Sequence, residues 1–213
     1  MSAKPAEALR ARLRAVRDPV LATRRLDLTL PDPRRVPELV RLFEDPAIAR
    51  WTLHIPFPYR ESDARGFLRR TGRNRRAGVA LTLHVVRRSD GALLGGVGLH
   101  HLDADQGRAE LGYWIGKPFR RQGYGQEAAR ALTTFAFRRL GLHRVEARVF
   151  PGNRASAGVL RSAGFRREGR LRGSVTKGML FLDEVVYARL AGDPEPPGGA
   201  RSARRGRASA PAR

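Results

Sequence analysis

The chain has 213 residues, 41% of them hydrophobic, which is enough for one soluble domain with a real core. Its 42 Lys and Arg against 20 Asp and Glu give a formal net charge of +22, and only three of the 42 are lysine (Lys4, Lys117 and Lys177). The absence of cysteine excludes disulfides, thiolate metal sites and a cysteine nucleophile. The five histidines His54, His84, His100, His101 and His143 follow no metal-ligand spacing, so no metal is expected. No apolar run reaches bilayer length, and Met1-Ser2-Ala3-Lys4-Pro5 lacks the apolar core of a signal peptide; the expectation is a cytoplasmic protein without a membrane partner. The arginine skew is what a GC-rich genome produces, yet a charge this large attracts polyanions nonspecifically whatever its origin.

Residues 1–22 read as a basic N-terminal extension. Within it Leu9, Leu13 and Val16 share one face of a short helix, which Asp18-Pro19 breaks. Regular patterning begins at residue 23. Leu26, Leu28 and Leu30 alternate with polar residues as a half-buried strand. Val36, Leu39, Val40 and Phe43 recur at helical spacing, and a second short helix is expected from Asp45 to Arg50. Trp51 to Arg60 is an ordered loop holding three aromatics and two prolines. Ser62 is expected to cap a helix running to about Arg75.

Three antiparallel strands follow, over Val79–Arg87, Leu93–Leu102 and Ala109–Ile115, joined by two hairpins. After a glycine-containing loop, Ala128, Leu132, Phe135 and Ala136 mark a helical face that Gly141 ends. Val145, Ala147 and Val149 form a strand; Asn153 caps a helix closed by Gly164; two strands complete the domain at residue 190. The pattern predicts one α+β domain over 23–190, not a doubly wound sheet. Residues 191–213, Pro/Gly-rich and then Arg/Ser/Ala, are expected to be a disordered basic tail offering nonspecific polyanion contact.

The chemistry centres on Arg120-Arg121-Gln122-Gly123-Tyr124-Gly125, between a strand and a helix. Glycines there let successive N–H groups converge, and the helix start adds unpaired donors and a positive dipole end, a cradle for phosphate or pyrophosphate. A glycine pair alone is a weak signal; its context is what carries weight. That context is Glu110-Leu111-Gly112-Tyr113-Trp114-Ile115-Gly116, the glycine loop, Glu127-Ala128 and Gly141-Leu142-His143-Arg144-Val145-Glu146. Asn153-Arg154-Ala155-Ser156, Gly164-Phe165-Arg166-Arg167-Glu168-Gly169 and Asp183-Glu184-Val185-Val186-Tyr187 follow in order. Together these resemble the GNAT acetyltransferase superfamily over roughly Arg24 to Leu190, and most of all its branch that acetylates the N-termini of ribosomal proteins. Arg120-x-x-Gly123-x-Gly125 matches the family's Arg/Gln-x-x-Gly-x-Gly/Ala signature.

The resemblance implies a mixed, mostly antiparallel central sheet flanked by helices, with acetyl-CoA as cosubstrate and no metal. It implies that the strand bearing Trp114 and Ile115 splays from the strand ending near Phe150, with the pantetheine arm in the gap. It further implies that backbone amides from Arg121 through Gln126 hold the pyrophosphate and that Asn153 lies on the pantetheine side. Ser156 would stand near the sulfur to protonate or hydrogen-bond the leaving thiolate. The implied acceptor is a primary amine, on a protein N-terminus or a small molecule, and the assembly a monomer or homodimer. The attack is direct, so no enzyme nucleophile is needed, and a strand N–H near Trp114 or Ile115 would face the oxyanion.

Glu110 is the preferred base, on one strand face with Gly112 and Trp114; a solvated charge or an arginine partner is the plainer reading of the same residue. His100 and His101 are alternatives, and Glu146 is a weaker one because Arg144 or Arg148 explains it. Trp51, His54 and Tyr59, in the loop where relatives bind the acceptor, are the substrate-side candidates; core packing explains each aromatic equally well. The family branch's carboxylate base has no clear counterpart, and Gly173–Gly178 contains no acidic residue. Two other readings use the same fold: a basic RNA- or ribosome-binding module, and a non-catalytic acyl-CoA-binding protein.

Overall fold

The computed structural model describes residues 5–197. Eight strands form one sheet: β1 (Leu21–Ala22), β2 (Leu26–Thr29), β3 (Leu81–Arg87), β4 (Leu93–Asp103), β5 (Arg108–Ile115), β6 (Arg144–Val149), β7 (Arg166–Lys177) and β8 (Leu180–Leu190). Their spatial order is β1-β2-β3-β4-β5-β6-β8-β7. All neighbours pair antiparallel except β5 and β6, which run parallel. Six α-helices accompany it: α1 (Pro5–Arg14), α2 (Val36–Leu42), α3 (Pro46–Trp51), α4 (Glu61–Ala77), α5 (Tyr124–Phe135) and α6 (Arg154–Ser162). This is the expected mixed sheet with flanking helices in a single domain.

Alternation along the strands divides the core in two. Leu81, Leu83 and Val85 of β3, Val97 and Leu99 of β4, and Leu111 of β5 pack with Ala128, Leu132 and Phe135 of α5 and Leu160 of α6. On the other face Val36, Leu39 and Phe43 of the α2 region, Ile48 of α3 and Ala64 of α4 cluster with Val86, Leu93 and the half-buried Trp114.

Three expectations change. Of the 1–22 segment, residues 5–22 are part of the domain rather than an appendage, and residues 1–4 lie outside the described residues. Leu9 and Leu13 of α1 are buried in the main core, and Arg10 Nε and Arg12 Nη1 donate to the Ala77 and Leu140 carbonyls at 3.0 and 2.7 Å. Leu21 and Ala22 pair with β2. The α4 helix begins at Glu61, and its start is capped by Asp63, whose Oδ2 accepts the Arg60 N–H at 2.8 Å, not by Ser62. Of the expected tail, residues 191–197 are fastened to the domain. Glu195 pairs with Arg138 and Arg189, Asp193 accepts the Leu190 N–H, and Pro196 is buried. Residues 198–213 lie outside the described residues.

Candidate active site

The glycine loop folds as a cradle because two of its residues adopt left-handed backbone, Arg121 (φ 61°) and Gly123 (φ 81°). Such alternation turns consecutive N–H groups toward one side. The first helical hydrogen bond of α5 is donated by Glu127 to the Gly123 carbonyl (3.1 Å). Among the described residues the amides from Arg121 through Gln126 have no acceptor, and they lie at the positive end of the helix.

Arg120 is turned away from this cradle. Its Nε donates to the Ile115 carbonyl (2.9 Å) and its Nη2 pairs with Asp45 (2.6 Å), so it ties the loop to β5 and to the start of α3. Arg121 is exposed, and the Gln122 side chain donates to the Pro118 carbonyl (3.2 Å). Gln126 Nε2 donates to Ser162 Oγ (3.1 Å), joining α5 to α6. Gly125 packs on Ile115 and Val159, where a Cβ would lie in ordinary contact at 3.5 and 3.6 Å.

The sequence reading missed the brace beneath the loop. Glu127 Oε2 receives Arg25 Nε at 2.7 Å, and its Oε1 receives the Thr23 hydroxyl at 2.6 Å and the Arg25 N–H at 2.9 Å. Arg25 Nη1 also donates to the Gln122 carbonyl (3.0 Å), and its guanidinium lies over the Tyr124 ring at 4.5 Å. Burial works against the Glu127 carboxylate, but the Thr23 hydroxyl and the Arg25 amide and guanidinium outweigh it and hold its pKa below the usual value. No sequence spacing links residues 102 positions apart.

Beside the cradle the sheet opens. β5 and β6 pair only at Arg108↔Arg144, Ala109↔Val145 and Glu110↔Glu146, although β5 continues to Ile115 and β6 to Val149. Within β5 the N–H groups alternate edges. Gly116 donates across to Leu94 on the β4 side, so Trp114 and Gly112 face β4 as well, and Tyr113 and Ile115 face the opening.

That corrects the expectation for Trp114. Its backbone belongs to the β4 ladder, and its ring packs on Phe43 (centroids 4.2 Å apart), which in turn meets Tyr59 (4.4 Å). Gly95 and Gly96 make room for it: a Cβ at Gly95 would lie 2.2 Å from the Trp114 carbonyl oxygen, and one at Gly96 would lie 2.6 Å from its indole nitrogen.

On the α6 side Asn153 Oδ1 accepts the Ser156 N–H (3.1 Å), the cap expected from the sequence. The Ser156 hydroxyl lies 2.8 Å from Tyr113 Oη, which also donates to the Ser156 carbonyl (3.0 Å). Burial pushes the Tyr113 phenol well above its ordinary value, so it stays protonated. Tyr113 is therefore a partner of Ser156 across the opening.

On the opposite face Glu110 Oε2 meets His101 Nδ1 at 3.3 Å and Arg148 Nε at 3.7 Å, and Arg148 also pairs with Glu146 and Glu184. Glu110 is thus an arginine partner at the last paired position of β5 and β6. Trp51 reaches the loop after β6, with its ring edge 3.8 Å from the Cβ position of Gly152. Tyr59 is half-buried, and burial first, then Asp63, pushes its pKa up to about 12. His54 is exposed. Lys177 of β7 clamps this side by donating to the carbonyls of Ala49 (2.5 Å), Arg50 (3.1 Å) and Thr52 (2.7 Å) at the end of α3. Among the described residues no group of three or more His, Asp or Glu side chains could hold a metal ion, and no helix is long and apolar enough to cross a membrane.

A mixed sheet thus splays beside an amide-lined helix start. Residues 25–166 match the family described as Acetyltransferase (GNAT) domain, and the chain belongs to that family. It is 40% identical over 101 residues to YdaF of Bacillus subtilis (strain 168), named as a candidate ribosomal N-acetyltransferase; the match covers 47% of this chain and 55% of YdaF. The chain thus spans about half the length of that relative. It is 30% identical over 171 residues to an uncharacterized N-acetyltransferase, p20, of Bacillus licheniformis, covering 80% of this chain and 95% of p20. A solved structure titled as a candidate ribosomal-protein-serine acetyltransferase from Vibrio cholerae superposes with a TM-score of 0.71 at 29% identity, covering 79% of this chain and 95% of that one.

Proposed function

We propose that this protein transfers the acetyl group of acetyl-CoA to a primary amine, on a protein N-terminus or a small molecule, by direct attack. The observation that carries the reading is the row of acceptor-free amides from Arg121 through Gln126 beside the opening between β5 and β6. Anionic phosphates bind such helix starts, and an extended chain can pair with an open strand edge. The Tyr113 and Ile115 backbone groups are those turned to that edge, and either N–H suits the oxyanion.

The amine nitrogen attacks the thioester carbonyl, the carbon–nitrogen bond forms and the carbon–sulfur bond breaks. Ser156, supported by Tyr113, protonates the departing thiolate. Glu110 stands where the incoming ammonium would be drawn toward a carboxylate. An α-amine, with a reference pKa of about 7.7–8.0 against about 10.4 for lysine, needs only a modest base. The relatives named for ribosomal proteins favour a protein N-terminus as acceptor.

Titration calorimetry with acetyl-CoA, followed by free-thiol release across peptides with varied N-termini and a panel of small amines, tests the reading. Submicromolar to micromolar binding with acceptor-dependent thiol release is expected. Binding without release over the whole panel would leave an acyl-CoA-binding protein, and no binding would remove the proposal.

A further inference from the structure

Next to the opening, on the β4 side of β5, stands a second titratable group whose ring is bonded to no described residue. His100 of β4 is directly opposite Glu110 of β5, at the same level as the last paired position of β5 and β6. Its ring is only partly exposed. It lies back over the sheet, with Nε2 2.9 Å from the Cβ position of Gly98 and 3.2 Å from that of Gly112. A Cβ at Gly98 would displace it and one at Gly112 would crowd it, and Gly98 and Gly112 are themselves paired across β4 and β5. Two facing strands have therefore given up their side chains at one level, and an imidazole fills the space.

The position is chemically pointed. Gly112 immediately precedes Tyr113, whose N–H faces the opening, and one strand residue advances only about 3.3 Å. The His100 imidazole thus reaches along the strand toward the proposed reacting carbonyl. Glu110, by contrast, already has its Oε2 engaged by His101 and Arg148. His100 makes no hydrogen bond with any described residue.

We infer that His100, rather than Glu110, receives the proton of the attacking amine; this rests on the reading of the chain as an amine acetyltransferase. As the carbon–nitrogen bond forms, the ammonium proton passes to the free nitrogen of His100, directly or through one water; the electron pair of the breaking carbon–sulfur bond leaves with sulfur, which takes a proton from Ser156 while the serine oxygen regains one from solvent water. Glu110, held by Arg148 and His101, then carries the negative charge that accepts an imidazolium next to it. The groups facing His100 are Glu110 from β5, His101 from its own strand, His54 from the loop after α3, and Arg148 of β6 behind Glu110. Burial first, then His101 and His54, lowers the His100 pKa below its ordinary 6.5, so the ring is neutral and ready at neutral pH.

The experiment is a pH profile of kcat with acetyl-CoA and a peptide acceptor that the wild-type protein turns over, run on wild type, His100→Asn, His100→Gln and Glu110→Gln. Calorimetry with CoA checks that each variant keeps its fold and donor site. Expected are an acid limb in wild type with its midpoint below pH 6.5, and a fall in kcat of about 100-fold in both His100 variants with the limb lost and CoA affinity unchanged. Glu110→Gln should keep the limb, displaced. Retention of the limb and of kcat within about threefold in a CoA-binding His100 variant would overturn the inference, as would transfer of the limb to Glu110. Should neither His100 variant bind CoA, Glu110→Gln decides: an acid limb kept in that variant supports His100, and its loss there would place the base at Glu110 and overturn the inference. Absence of wild-type turnover with every acceptor would instead count against the acetyltransferase reading itself.

Discussion

Arg25 and Glu127 form the keystone of the donor loop: Arg25 Nε meets Glu127 Oε2 at 2.7 Å while the same guanidinium holds the Gln122 carbonyl and covers the Tyr124 ring. The pair joins the start of the central sheet to the first turn of α5, so the geometry of the phosphate cradle depends on a residue far away in sequence.

Glu127→Gln should therefore reduce both stability and donor binding. Loss of the charge-assisted bonds is expected to cost about 1.5–3 kcal/mol in denaturant unfolding, and CoA affinity should fall by about tenfold. Because the Glu127 pKa is lowered in the folded state, its contribution is complete above the unfolded value of 4.5 and fades as pH falls through the lower folded value. Thermal melts of wild type and variant should converge only at that acid end.

Gly95→Ala should be among the most damaging small substitutions in the sheet. The new methyl would sit 2.2 Å from the Trp114 carbonyl oxygen, a backbone atom that cannot swing aside. A loss of about 1–3 kcal/mol is expected by chemical denaturation. Gly91→Ala, where no atom lies within 4 Å but φ is +70°, should show only the smaller cost of left-handed backbone, about 1–2 kcal/mol.

His84 gives a pH dependence separate from catalysis. It is 1% exposed, neither ring nitrogen has a partner, and burial, with Arg35 adding to it, lowers its pKa from 6.5 to about 4. The unfolded chain binds this proton more readily, so stability should fall as pH drops from 6.5 toward 4, by on the order of 3 kcal/mol across the window. His84→Leu should flatten this limb and leave stability at pH 7 unchanged or higher by about 1 kcal/mol. Unfolding curves at pH 7 and pH 4.5 for both proteins provide the check.

Ser156→Ala is expected to lower kcat by about 100-fold while leaving CoA affinity intact, because only the departing thiolate loses a proton source. Tyr113→Phe acts through Ser156 and should have the smaller kinetic effect, with about 1 kcal/mol of stability lost along with its hydroxyl bond. Stopped-flow thiol release and denaturant melts separate the two.

Period-two alternation, turn glycines and the Asn153 cap made the strands, the α6 start and the cradle legible in sequence, because each is fixed by residues within a few positions of one another. The family's ordered motifs placed the strand opening as well. Local pattern could not distinguish an N-terminal appendage from a core helix, since Leu9 and Leu13 look the same until α4 and the turn Ala136–Leu140 are packed beside them. It could not say which edge of β5 each amide faces, which set Tyr113 and Ile115 apart from Trp114. The Arg25–Glu127 brace, the Tyr113–Ser156 pair and the glycine bed under His100 came only from the tertiary structure: each joins residues on different elements, and a hydrogen bond or a cleared volume across elements leaves no spacing in the chain to read.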